Sequence, residues 1–312
     1  MSPFKKFLVP TDFSPCAERA LAYAVQLAAT GAEVVLQHVF AFPHDWYYWD
    51  VPGVESLRKV VEETARSRLK ALVAGRESQG LTFTERLDVN SDVSRTILAA
   101  IEEEAPDVVV MGTMGWVEER PQLGSVAEQI ARRAEMPVLM VPGGAAGFTD
   151  SPRILVPLFA SHASATSLRF GERIAVALRG SLDILHVLPD APFGPSFLGD
   201  EPIEAGDLLE PEHRLRRLGK FATKHLLSAT AFSVHLDEGD FVDEVAEFVE
   251  DERVDLVVLA RSDAGNRPHK AELIAHKVAC PVLVVPAMLI SRQQASAETG
   301  GPHRHSMQEV PQ

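Results

Sequence analysis

The stretch Lys5-Lys6-Phe7-Leu8-Val9-Pro10-Thr11-Asp12-Phe13-Ser14-Pro15 returns half a chain later as Pro152-Arg153-Ile154-Leu155-Val156-Pro157-Leu158-Phe159-Ala160-Ser161-His162. Three further segments follow in the same order. EVVLQHVF (33–40) matches LDILHVLP (182–189), APDVVVMGT (105–113) matches RVDLVVLAR (253–261), and MPVLMVP (136–142) matches CPVLVVP (280–286). The offsets are 147 from Pro10 to Pro157, 148 from His38 to His186 and 144 from Pro137 to Pro281. A near-constant offset over four ordered segments marks an internal duplication. Two copies of one domain are expected, at 1–142 and 152–287. The small polar stretch GGAAGFTDS (143–151) suits a linker, and 288–312 reads as a disordered tail because its apolar periodicity is lost.

Each copy alternates strand and helix patterns. Short apolar runs such as FLVP and DVVVMG fit strands buried on both faces. Between the first two strands, Ser14 can cap a helix, Pro15 fits its first position, and Ala17, Ala20, Leu21, Ala24 and Ala28 form one apolar face, with Gly31 as the stop. Helices are expected at 54–75, 93–104 and 125–135, and a strand at 82–89. The result is an α/β fold made of two tandem five-stranded, mostly parallel sheets flanked by helices. Ligands of such sheets bind beyond the carboxyl ends of the strands, where strand order reverses.

Composition narrows the function. The chain has 312 residues, 46% of them hydrophobic, and a formal net charge of −14. That balance argues against nucleic acid and against polybasic membrane attachment, both of which need clustered cations. No apolar run approaches the roughly 20 residues of a membrane span. The N-terminus meets Pro and Asp too soon for a signal peptide. Cys16 and Cys280 lie far apart and no CxxC occurs, so neither a disulfide framework nor a cysteine zinc site is expected. The expected compartment is the cytoplasm.

The candidate chemistry lies in the first copy. The loop after DVVVMG carries Gly112, Gly115 and Gly124, and Gly124-Ser125 opens a helix. A helix N-terminus offers free N–H groups and positive dipole to a phosphate. Ser125-x-x-Glu128 has the form of a capping box, so the Ser125 hydroxyl either caps the helix or reaches a ligand. The glycines either admit a ligand or simply make tight turns. Asp12, after the first strand, either meets a ribose or metal or bonds its own turn.

These motifs resemble the universal stress protein family in its tandem two-domain form. The resemblance rests on Val9-Pro10-Thr11-Asp12-Phe13-Ser14, on the pairs His38-Val39 and His186-Val187, and on Gly112, Gly115 and Gly124-Ser125, which approach the family's G-x2-G-x9-G-[ST] signature with its following helix and PVLVV strand. It implies strand order 3-2-1-4-5 in each copy, and packing of the copies as an intramolecular pseudo-dimer through Val138–Val141 and Val282–Val285. Further homodimerisation stays open. In the nucleotide-binding branch the loop holds ATP. Carried over by position, the site is Pro10, Thr11, Asp12, Val39, Met111, Gly112, Gly115, Gly124, Ser125 and Val126. The backbone of Val39 would meet adenine, Asp12 ribose or a metal, and the glycine loop with Ser125 and Val126 the phosphates. Any Mg²⁺ would arrive with the nucleotide. His38 reads as structural.

The departures are specific. Eight residues, not nine, separate Gly115 from Gly124, and the loop carries Trp116, Glu118 and Glu119, with Arg120 as a partial offset. In the second copy Phe159 replaces Asp12, the loop from Arg261 to Lys270 lacks the glycine pair and the Gly-Ser step, and no ATP is expected there. Gly239 is read as a turn residue. An insertion, FAFPHDWYYWDVPG (40–53), concentrates aromatic side chains near the proposed site and is read mainly as packing. Two functions compete. One is a stress-response or signalling protein that binds an adenine nucleotide and acts through conformation or a regulatory protein partner, with slow hydrolysis at most. The other is a non-nucleotide binding module with a relic glycine loop, its cleft or aromatic insert taking a small apolar ligand or a partner protein. An adenylyl-transfer enzyme ranks last, because TDFSP is not a PP-loop.

Overall fold

The computed structural model describes residues 2–41, 54–76, 80–115, 124–158, 163–188, 211–227, 231–261 and 270–286. The aromatic insertion beyond Ala41, the loop 116–123, Phe159, the second-copy loop 262–269 and the expected tail lie outside the described residues.

The first copy runs β1 (Lys6–Pro10), α1 (Pro15–Leu27), β2 (Glu33–Phe40), α2 (Val54–Val73), β3 (Thr82–Val89), α3 (Val93–Glu104), β4 (Val108–Gly112), α4 (Ser125–Arg133) and β5 (Val138–Val141). The second repeats it as β6 (Arg153–Leu158), α5 (Ala163–Leu178), β7 (Ser181–Leu188), α6 (Pro211–His225), β8 (Phe232–Glu238), α7 (Phe241–Asp251), β9 (Leu256–Arg261), α8 (Lys270–Lys277) and β10 (Val282–Pro286). All ten strands form one sheet in the order β3-β2-β1-β4-β5-β10-β9-β6-β7-β8. Each half is therefore 3-2-1-4-5, with parallel neighbours throughout. The copies join where β5 and β10 pair antiparallel, Val282 opposite Met140 and Val284 opposite Val138.

Local chemistry explains the elements. The Ser14 hydroxyl accepts the Ala17 N–H at 3.2 Å and caps α1, with Pro15 in the first turn. α1 ends at Leu27, earlier than expected, because Ala28 turns to extended backbone. Gly31 instead makes the next turn, at φ +86°. Gly239 also has positive φ, and a Cβ there would meet the Glu244 carboxylate at 2.3 Å, so its role is a turn.

Apolar strands are covered on both faces. One face packs Leu21 of α1, Leu69 of α2, Ile174 of α5 and Leu218 of α6 over the sheet. The other packs Ile97 of α3, Ile130 of α4, Val245 of α7 and Ile274 of α8. Each apolar layer runs through both copies, so the duplicated halves share their cores. Phe4 stacks on Phe170 across the halves at 6.1 Å. The linker is tied down: Gly147 N–H donates to the Tyr23 hydroxyl, Phe148 N–H to Gln26, and Thr149 to Asp255. Both cysteines are free and buried, and burial pushes the Cys280 thiol up to about 12. No helix among the described residues is long and apolar enough to cross a membrane.

The second copy grips the C-terminal half of α4. Arg132 makes a bidentate ion pair with Glu272 of α8, both contacts at 2.7 Å. Arg261, at the end of β9, donates to the Ala131 and Ala134 carbonyls, which α4 leaves unpaired at its end. The Glu272 side chain is only 5% exposed, so an unpartnered carboxylate there is expensive. Arg132→Ala is expected to lower stability by about 2 kcal/mol, less than a fully buried pair because Arg132 itself is partly solvated. The double variant Arg132→Ala/Glu272→Ala is expected to lose less than the single one, since the buried charge goes too; chemical denaturation reads both.

Candidate functional site

Strand order reverses between β1 and β4, and a cavity of about 450 Å³ opens beyond their carboxyl ends. All ten residues carried over by position line it: Pro10, Thr11 and Asp12 from β1 and its turn, Val39 from β2, Met111 and Gly112 from β4, Gly115 from the loop, and Gly124, Ser125 and Val126 at the start of α4. The structure also adds Gln37, Val93, Ile97 and Thr113 to the lining.

The β1 turn is built from its own side chains. Thr11 N–H donates to the Gln37 carbonyl at 2.7 Å, which continues the β1–β2 pairing past Pro10. The Thr11 hydroxyl accepts the Phe13 N–H, and Asp12 Oδ1 accepts the Ser14 N–H at 2.9 Å. These bonds hold Phe13 at φ +62°. Asp12 thus bonds its own turn with one oxygen. Its other oxygen lies beside Gly115, where a Cβ would meet Oδ2 at 2.7 Å. Asp12 itself is exposed.

His38 is structural, as read. Its Nδ1–H donates to the Thr11 carbonyl at 2.8 Å and its ring packs on Phe13 at 4.4 Å. Burial pushes its pKa below the ordinary value, outweighing that hydrogen bond. His186 repeats the arrangement in the second copy, against the Leu158 carbonyl at 3.2 Å, and burial again lowers its pKa.

Two motif readings change. Ser125-x-x-Glu128 is not a capping box. The Gly124 N–H donates to the Thr113 carbonyl at 2.6 Å, which closes the loop and places Gly124, not Ser125, at the cap position with extended backbone. Glu128 instead pairs with Arg132 at 2.7 Å. Gly124 has no side chain to spend, so α4 starts without a side-chain cap, whereas Ser14, Asp92 and Asp240 cap α1, α3 and α7. The second change concerns the glycines. A Cβ on Gly112 would strike Cys16 Sγ at 2.8 Å and the Cys16 backbone at 3.0 Å. The close packing of α1 by itself requires a glycine at 112. Gly115 makes room for Asp12, and a Cβ on Gly124 would press the Thr113 carbonyl at 3.2 Å.

Gln37 was not anticipated. It lies wholly buried in β2 (0% exposed), on the same face as Val35 and Val39. Its Nε2 donates to Asp88 Oδ2 at 2.8 Å, while its Oε1 has no hydrogen-bond partner among the described residues. A dry, unpaired carbonyl typically costs about 1–3 kcal/mol. The legible signal was a polar residue inside an apolar strand whose second-copy counterpart is Leu185.

The sequence model of the universal stress protein family matches residues 3–142 and 151–286. The chain belongs to the universal stress protein family. Among curated proteins it is 31% identical over 153 residues to universal stress protein MJ0577 of Methanocaldococcus jannaschii, covering 44% of this chain and 94% of that one. It is also 31% identical over 144 residues to universal stress protein MJ0531 of the same organism, covering 44% and 82%. Among solved structures, a universal stress protein from Archaeoglobus fulgidus superposes with a TM-score of 0.65 at 17% identity, covering 90% of this chain and 96% of that one. A functionally unknown Pseudomonas aeruginosa protein gives 0.63 at 14%, covering 96% and 98%. At those identities the two structures establish the doubled fold alone. The two 3-2-1-4-5 halves fit a doubled universal stress protein fold.

Two glycine variants should part. Gly112→Ala is expected to destabilise the protein by about 1–3 kcal/mol, because backbone atoms of α1 cannot yield. Gly115→Ala is expected to stay within about 0.5 kcal/mol of the parent, since the clash falls on the end of a side chain that can swing away; thermal unfolding of both separates the cases. The histidines predict a pH effect. Burial makes both take up a proton at lower pH in the folded chain than in the unfolded one, which does so near pH 6.5. Their contribution is therefore complete above that pH and is lost as pH falls below it. Denaturation midpoints measured from pH 7.5 downward should decline, and His186→Asn should flatten the decline.

Proposed function

We propose that the first copy binds an adenine nucleotide, ATP being the expected form, and that the chain is a stress-response protein whose conformation or choice of protein partner follows occupancy. The observation that carries this reading is the two-ended chemistry of the cavity. At one end lies the start of α4, where Gly124 offers the N–H groups of the first turn no side-chain cap, beside the Asp12 carboxylate. Free N–H groups at the positive end of a helix suit phosphates. At the other end Val39, Ala41, Val93 and Ile97 form an apolar slot suited to a base. The volume falls in the ordinary range for small-molecule sites.

Among the described residues no cluster of His, Cys, Asp or Glu forms a metal cage. Any Mg²⁺ would come with the triphosphate, and Asp12 is the carboxylate placed to meet it or a ribose hydroxyl. The reading is one of binding and switching, with hydrolysis slow at most. The cytoplasm remains the proposed compartment. In the second copy the sequence lacks the glycine pair and the Gly-Ser step, so one nucleotide per chain is proposed.

The packing role of Gly112 favours a second reading, in which the loop is a relic and the apolar slot takes a small apolar ligand. Calorimetry with ATP and AMP in the presence of Mg²⁺ separates the two. Micromolar ATP binding near one site per chain supports the nucleotide reading; no binding supports the relic. Gly124→Asp should abolish ATP binding at little cost in stability, because an aspartate there fills the phosphate position with negative charge while its cap on α4 offsets the press of its Cβ on the Thr113 carbonyl. Retained affinity in that variant would overturn the assignment of the phosphates to α4.

A further inference from the structure

We propose that Gln37 is the base-selecting residue of this cavity, its side-chain carbonyl accepting a hydrogen bond from the exocyclic amine of adenine. The inference rests on the nucleotide reading and deepens it. Three observations carry it. First, Gln37 lines the cavity, on β2, at the end away from α4. With phosphates on α4, the base falls at the β2 and α3 end, among Val39, Val93 and Ile97.

Second, the amide is oriented by a chain of ion pairs. Arg86 holds Asp88 through Nε at 2.8 Å and a second nitrogen at 3.3 Å, and is itself anchored to Glu103 and Glu104 of α3. Asp88, an acceptor only, takes the Gln37 Nε2–H. This fixes which way the amide faces. The nitrogen serves the protein, and the oxygen is left as a buried acceptor with no donor. A ligand bearing an N–H in the apolar slot supplies that donor; a ring carbonyl or a bare C–H there does not. The oxygen is dry in the structure, so reaching it requires the lining to shift, and the unbranched Met111 and Met114 are adaptable members of that lining.

Third, the second copy is an internal control. Leu185 occupies the equivalent position, fully buried on the same face of its strand. A leucine satisfies packing there, so packing alone does not call for an amide. The copy that keeps Asp12 and the glycine loop is also the copy that carries the glutamine.

The test compares ATP with the 5′-triphosphate of purine riboside, which carries hydrogen in place of the amine, by calorimetry on the full chain and on Gln37→Leu. Wild type is expected to bind ATP about tenfold more tightly than the analogue. Gln37→Leu is expected to bind both alike, at the wild-type affinity for the analogue, and to unfold at or above the wild-type temperature because the orphaned carbonyl is gone. A wild-type ratio near one overturns the proposal whether or not the variant folds. A tenfold ratio that persists in Gln37→Leu also overturns it, since another acceptor then reads the amine. If wild type binds neither triphosphate, the nucleotide reading itself falls and takes this proposal with it; binding without discrimination removes this proposal alone.

Discussion

The antiparallel pairing of Val138–Val141 with Val282–Pro286 is the contact on which the architecture depends. A parallel five-stranded sheet ends in an exposed strand on either side, and an apolar one invites unwanted pairing. Here both copies turn their last strand inward and close each other's edge. The outer edges that remain, β3 and β8, are the most polar and least buried strands of the sheet. The central strands lie under helices on both faces, which is why they read as unbroken runs of Val, Leu and Met. Because both apolar layers cross the β5–β10 seam, the halves form one folding unit in contact terms, although the sequence divides cleanly in two.

That seam also determines what surrounds the cavity. α4 begins at the cavity and ends in the grip of the other copy. Its first turn has Gly124 for a cap, and its last turn gives two carbonyls to Arg261 while Arg132 clasps Glu272. A short rigid helix thus runs from the proposed phosphate position to the interface between the copies. Any ligand that draws on the N-terminal N–H groups acts on an element whose far end is held by the second copy. This is a physical connection, of the kind a conformational readout would use.

Most of the fold was legible because its signals are local and redundant. The strand at 82–89 and the helix at 93–104 appear as read, since alternation and a Pro stop fall within their own segments. α1 was read too long because Gly31 suggested the end, whereas the chain leaves the helix at Ala28. The ten candidate residues fall together, since all of them line one cavity. Their individual reasons were not. Gly112 answers to Cys16, ninety-six positions earlier in the chain, and no pattern inside the loop announces that contact. Gly124 displaces Ser125 from the cap through a bond to Thr113, again a tertiary event. Gln37 looked like one polar residue in an apolar strand, and only the Arg86–Asp88 chain shows why its oxygen is left over.

Covalent duplication has a further consequence. In a two-fold homodimer every substitution is made twice, so a change that ruins one ligand site ruins its mate. A chain that carries its own mate escapes this rule. The tethered pair keeps the shared sheet and both apolar layers, yet each half can drift in sequence by itself. The second copy has dropped Asp12's counterpart, the paired glycines and the amide at Leu185, while its last strand still seals the seam. It still supports the first copy through the seam and the end of α4, an asymmetry closed to a symmetric assembly of identical chains.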